Sequence, residues 1–178
     1  WQKNHLCPIL ERLKNERGVR LLIHGPPQWG KSIILSKRFP SWILGNDPLK
    51  RLILAAYSLR VSGEQFGESN RGVMRSPEYA KMFPHSQIPR VSSAFEFSTL
   101  QKLAEFDGQD SITCLGIQTG FTGKGTKPGD IIIVDDPYPS PEEAKSRAIN
   151  EKTWRFFTEG VLQRLHPEAN CVVMFHRY

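Results

Sequence analysis

Hydrophobic residues fall into short blocks separated by glycine, proline and charge, and the spacing inside each block sets the element it predicts. Over Pro8 to Arg17, Ile9, Leu10 and Leu13 recur at helical spacing with charges between them, and Gly18 stands where a helix stop belongs. Val19 to His24 is a short apolar run leading into a glycine-proline turn, the pattern of a buried strand. From Lys31 through Phe39 the chain predicts a helix ended by Pro40. Arg51 to Tyr57 predicts a second strand, and about Ser62 to Met74 a helix. Ser76-Pro77-Glu78-Tyr79 then opens a short helical stretch that closes near Phe83-Pro84.

Between Val91 and Gly116 the periodicity weakens. Phe95-Glu96-Phe97 and Ile112-Thr113-Cys114-Leu115 read as short strands around a stretch, Thr99 to Asp110, that fits helix and loop equally. A glycine-rich loop, Gly120 to Gly129, precedes the strand Ile131-Ile132-Ile133-Val134. Pro141 to Leu165 predicts one long helix, opening with Glu142 and Glu143 where acids suit the helix dipole. Asn170 to Phe175 is the last strand. Strands alternating with helices predict an α/β fold with a mostly parallel central sheet flanked by helices. No repeat, low-complexity segment or linker interrupts the pattern, so residues 1–178 read as a single domain.

Composition narrows the classes. With 39% hydrophobic and 24% charged residues, the chain is an ordinary globular sequence rather than a disordered one. Cys7, Cys114 and Cys171 are odd in number and far apart, which argues against a disulfide framework or a zinc site. They read instead as buried free thiols of a reducing compartment. None of the five histidines has a spacing that suggests metal ligation. No run of about 18 apolar residues occurs and no signal-peptide pattern follows Trp1-Gln2-Lys3, so the expectation is a soluble intracellular protein with no membrane span. The net charge of +6 fits an acidic partner such as nucleic acid without demanding one.

The strongest chemical signal is Gly25-Pro26-Pro27-Gln28-Trp29-Gly30-Lys31-Ser32, which satisfies G-x-x-x-x-G-K-[ST] directly after one strand and at the start of one helix. Gly25 and Gly30 allow a tight turn and close backbone approach to phosphate oxygens. The loop's N–H groups form an anion concavity. Lys31 would reach the β- and γ-phosphates, and the Ser32 hydroxyl would join a Mg²⁺ shell. Trp29 could cover a nucleotide, meet a neighbouring subunit, or anchor the loop against the core.

A second acidic element, Asp135-Asp136, ends the strand Ile131–Val134. Asp135 suits the metal-holding role opposite the phosphate loop, and Asp136 the residue that polarises an attacking water. Glutamate is usual in the latter role, so Glu142 or Glu143 remains an alternative base. The spacing of about a hundred residues from the phosphate loop leaves room for intervening strands and favours a P-loop NTPase with a RecA-like, additional-strand core.

With these residues in place, the chain resembles the N-terminal ATPase domain of the large terminase subunit of tailed bacteriophages. Trp1-Gln2 matches the family's opening pair, Gly25 to Ser32 its phosphate loop, and Phe39-Pro40-Ser41-Trp42 the segment that follows. Ala55-Ala56-Tyr57-Ser58 resembles its second strand, and Ser76-Pro77-Glu78-Tyr79 the SPEY-like segment. Gly120-Phe121-Thr122-Gly123-Lys124-Gly125 matches the glycine-rich element, Asp135-Asp136-Pro137 the acidic pair, and His176-Arg177-Tyr178 the start of the coupling motif. Shared order along nearly the whole chain carries the resemblance.

The resemblance implies ATP and Mg²⁺ as cofactors, with Gln2 reading adenine. Its catalytic set would be Lys31, Asp136, Lys124 and Arg177, its nucleotide-binding set Gln2 and Gly25 through Ser32, and its metal set Ser32 and Asp135. Lys124 stands where the family commonly has arginine. It keeps a charge for a neighbouring subunit's γ-phosphate but lacks the planar fork. His176 replaces a threonine.

The implied activity is ATP hydrolysis coupled to translocation of double-stranded DNA into a procapsid. The implied partners are DNA, the portal protein and the small terminase subunit, in a homo-oligomeric ring in the cytoplasm of an infected bacterial host. The family's C-terminal nuclease has no counterpart here, so DNA cleavage is not expected of this chain. Arg71, Arg75, Lys81 and Arg90 are candidates for contacting DNA phosphates, and Arg38 for a charge near the nucleotide. A helicase or recombination ATPase would share the phosphate loop and acidic strand but carry further motifs not found here. A nucleotide-binding switch without turnover is the alternative from outside the motor class.

Overall fold

A computed structural model describes residues 2–105, 108–117, 125–138 and 140–176, with side chains from residue 4. A π-helical turn, Gln2–Leu6, runs into α1 (Cys7–Asn15), and β1 (Arg20–His24) follows. After the loop come α2 (Lys31–Leu35), α3 (Phe39–Asn46) and β2 (Leu52–Ala56). A π-helical segment, Val61–Gly67, continues as α4 (Glu68–Met74), and α5 (Pro77–Met82), β3 (Glu96–Phe97) and α6 (Leu100–Ala104) lead to β4 (Ile112–Gly116). The last third holds β5 (Ile131–Asp135), α7 (Pro141–Ala144), α8 (Arg147–Arg155), a π-helical continuation Phe156–Leu162, and β6 (Asn170–Phe175).

The six strands form one sheet in the order β1-β6-β5-β2-β4-β3, parallel except for β3, which runs antiparallel to β4. β2, β4 and β5 are buried at every position, as apolar strands covered on both faces must be. Alternate residues feed two cores. Leu52, Leu54, Ile131, Ile133, Val172 and Met174 face α1 to α5 on one side. Ile53, Ala55, Ile132, Val134 and Cys171 face Phe156 and Val161 on the other. The connections from β1 to β2 and from β2 to β4 pack on the first face and the connection from β5 to β6 packs on the second, so the crossovers change face across the sheet. An open parallel sheet leaves a crevice beyond the strand C-termini at such a change of face.

Several boundaries differ from the sequence reading. Pro40 does not end a helix. The helix from Lys31 stops at Leu35, Arg38 leaves helical geometry at φ −131°, and Pro40 sits in the first turn of α3, where its missing N–H costs nothing. The long helix expected over 141–165 is broken between α7 and α8. Ser140 caps Glu143 N–H at 3.2 Å for the first, and the second restarts after an extended Ser146. The ambiguous stretch after Val91 becomes helical over α6 because the Thr99 hydroxyl caps Lys102 N–H. Cys7 is exposed rather than buried, while Cys114 and Cys171 are buried free thiols. No helix among the described residues is long and apolar enough to cross a membrane.

Candidate active site

The loop after β1 and the two carboxylates at the end of β5 meet over the C-terminal end of β6, which lies between those strands. Gly30 takes φ 77° and Gln28 φ 63°, so the loop folds through two left-handed residues, and glycine alone does so freely. The only non-glycine residues at positive φ among the described residues are Gln28 and Asp136, and both border this site. Strain of this kind persists where the surroundings enforce it and concentrates at functional sites.

Lys31 is 4% exposed, its ammonium donating to Gly25 O at 2.8 Å and Pro26 O at 2.7 Å. Its third partner is His176 Nδ1 at 3.1 Å. Burial pushes the Lys31 ammonium below its usual range, with Asp136 and Asp135 pulling it back up. Asp135 ends β5 and is 2% exposed. Its Oδ1 accepts the Ser32 hydroxyl at 3.1 Å and its Oδ2 the Ser36 hydroxyl at 2.6 Å. Burial raises the Asp135 carboxyl to about 6 against those two hydroxyls. Asp136 is also raised, by burial first, with His176 and Lys31 opposing. Its Oδ2 meets His176 Nε2 at 2.6 Å.

Two adjacent carboxylates, Asp135 buried and Asp136 half-buried, therefore face one ammonium and one imidazole. Partly neutralised negative charge of this kind suits a divalent cation. Mg²⁺ needs only one or two protein ligands when phosphates and waters complete its shell, and the Ser32–Asp135 pair supplies a hydroxyl and a carboxylate side by side. No group of three or more His, Cys, Asp or Glu able to hold a metal occurs among the described residues, so an all-protein cage is not what these residues offer. A cleft of about 340 Å³ lined by Gln28 to Ile33 and His176 opens beside the lysine.

Of the residues singled out in the sequence, Gly25 through Ser32, Asp135 and Asp136 come together here. The Gln2 side chain, Lys124 and Arg177 lie outside the described residues. Glu142 and Glu143 are exposed in the first turn of α7, and among the described residues no hydrogen bond or ion pair joins either to Lys31, Ser32 or Asp135. Trp29 does not anchor the loop in the core, since its side chain is 48% exposed at the lip of the cleft.

Arg38 donates to Lys37 O and the Ser69 hydroxyl, away from the loop. Arg71 and Arg75 strap α4 to the following segment. Arg71 donates to Ser92 O, and Arg75 to Arg90 O at 2.6 Å and the Ser92 hydroxyl at 3.1 Å. Lys81 and Arg90 are exposed.

Ser36 escapes the sequence reading, and His176 enters it only as the first residue of the coupling motif. Ser36 looked like one polar position in an apolar helix, although one helical turn beyond Ser32 it had to share that residue's face. His176 was read as a replaced threonine, and its position directly after β6 was the available signal. No protein-family model and no curated protein matches this chain.

Proposed function

We propose that this chain is the ATP-hydrolysing motor domain of a DNA-packaging terminase, built on a P-loop NTPase core of the RecA-like, additional-strand type. The observation that carries the nucleotide reading is the contact of Ser32 with Asp135, 103 residues apart, beside a buried Lys31. β6, inserted between the phosphate-loop strand β1 and the acidic strand β5, supports the additional-strand assignment. The terminase reading adds the order of motifs described above, and with it double-stranded DNA, a portal and a small subunit as partners.

In this reading Lys31 exchanges its contacts with Gly25 O, Pro26 O and His176 for phosphate oxygens, countering charge as the γ-phosphoryl group departs. The backbone from Gly25 to Ser32 orients the phosphates. Ser32 and Asp135 would hold Mg²⁺, which when bound supplies charge neutralisation at the phosphates. Ser36 keeps the Asp135 carboxylate turned toward Ser32. Asp136 orients water and takes up its proton, and its contact network favours it over Glu142 and Glu143.

Lys31→Ala tests the assignment. Steady-state ATP hydrolysis should fall by about 100-fold or more, with far-UV circular dichroism unchanged, in assays with and without double-stranded DNA. Undiminished turnover in this variant refutes the site.

A further inference from the structure

His176 follows β6 and touches both groups that the proposed chemistry requires. An ammonium can only donate, so the Nδ1 atom facing Lys31 at 3.1 Å must offer a lone pair. The ring proton then resides on Nε2, aimed at Asp136 Oδ2 at 2.6 Å. The His176 backbone N–H donates to the other oxygen of the same carboxylate, Oδ1, at 3.3 Å. One residue therefore grips both oxygens of Asp136. The backbone of Asp136 is separately tied, its N–H donating to Met174 O at 3.0 Å, and it sits at φ 44°, where a residue with a Cβ is strained. Lys31, on its side, spends its three protons on Gly25 O, Pro26 O and His176, the same protons an incoming phosphate oxygen would claim.

We propose that His176 is a positioning residue that aims the Asp136 carboxylate and ties its orientation to the place of Lys31, so that Lys31 moving to phosphate changes how Asp136 is held. The proposal rests on the nucleotide reading of the site. It assigns His176 no contact with substrate, and its effect passes through Asp136.

The test uses two variants of the whole chain. His176→Phe keeps the ring and removes both nitrogens, whereas His176→Gln keeps one acceptor and one donor. For His176→Phe, kcat should fall about 10–100-fold, the range for residues that orient a reacting group. Affinity for a nonhydrolysable ATP analogue should hold or tighten, because Lys31 has lost a competing partner. His176→Gln should recover most of kcat, and His176→Phe in an Asp136→Asn background should add no further loss. A role in packing alone predicts the reverse order, with phenylalanine the milder change, and that order overturns the proposal, as does full additivity with Asp136→Asn.

A second readout needs no nucleotide. In ¹⁵N NMR of the histidine side chains, His176 should be the Nε2–H tautomer, and Lys31→Met should move its Nδ1 resonance. A proton on Nδ1, or indifference to Lys31→Met, overturns the bridge. If the wild-type chain neither binds nor hydrolyses ATP, the nucleotide reading fails, and the NMR result still judges the bridge.

Discussion

Asp135→Asn, studied without nucleotide and with divalent cations chelated, measures the cost of holding a carboxylate in this site. Burial moves the Asp135 carboxyl from the usual 3.8 to about 6. At roughly 1.4 kcal/mol per pH unit, this amounts to about 3 kcal/mol between folded and unfolded chains. The sign follows from the protons bound. Between pH 3.8 and about 6 the folded state holds its proton more tightly than the unfolded chain, so stability falls as pH rises through that window. Below the window the penalty disappears, and above it the full amount applies.

Asparagine cannot ionise and still offers an acceptor to Ser32 or Ser36. Relative to wild type, the variant should gain about 3 kcal/mol at pH 8 and only about 1 kcal/mol at pH 4.5. Urea unfolding followed by far-UV circular dichroism at the two pH values gives the comparison. A gain that is absent at pH 8, or equal at both pH values, refutes the electrostatic account. Under the ATPase reading proposed above, the same variant should lose ATP turnover, so stability and activity would move in opposite directions, as they do where a site is built at the expense of the fold.

Ser36→Ala removes the hydroxyl that donates to Asp135 Oδ2 at 2.6 Å. The stability transition of Asp135 should shift to higher pH, with a loss of about 1–3 kcal/mol at pH 8 in the same urea series. Gly67→Ala places a methyl group against the Ala94 carbonyl oxygen and 2.9 Å from Cys114 Sγ. Backbone cannot yield there as a side-chain tip can, so thermal unfolding should report a loss of about 1–3 kcal/mol or more.

How far the fold could be read from the sequence depended on whether the deciding force was local. β2, β5 and β6 were legible because apolar runs bounded by polar residues admit few other structures. The Gly25–Ser32 loop was legible because its residue pattern stands between a strand and a helix, and Gly30 at φ 77° sits where the backbone favours glycine. The break between α7 and α8 was hidden, since Ser146 resembles any polar residue on a helix face until its extended backbone is seen. Pro40 was misread because the same residue ends one helix or begins another depending on where the preceding turn unwinds.

Asp135 and Asp136 were both visible as a pair, but their separate environments were not. Asp135 is set by hydroxyls one turn apart on α2 and just beyond it, and Asp136 by a histidine at the far end of the chain. Such partners are joined only by tertiary pairing, which no local pattern encodes. Trp29 shows the same limit, because an aromatic residue beside a core strand gives no sign that it faces outward.

The insertion of β6 between β1 and β5 also governs the order in which this molecule can assemble. Val19 N–H donates to Asn170 Oδ1 across 151 residues, and among the described residues β6 is the one strand beside β1 in the sheet. Closing so long a loop is slow, because chain entropy is surrendered before the contacts return anything. Helices and the β2–β4 pair can form early from nearer partners. The lysine and the carboxylates acquire their spacing only when the last strand threads between the first and the fifth. In a refolding experiment, recovery of the nucleotide affinity proposed above should therefore trail recovery of helical signal and mark the final step of the reaction.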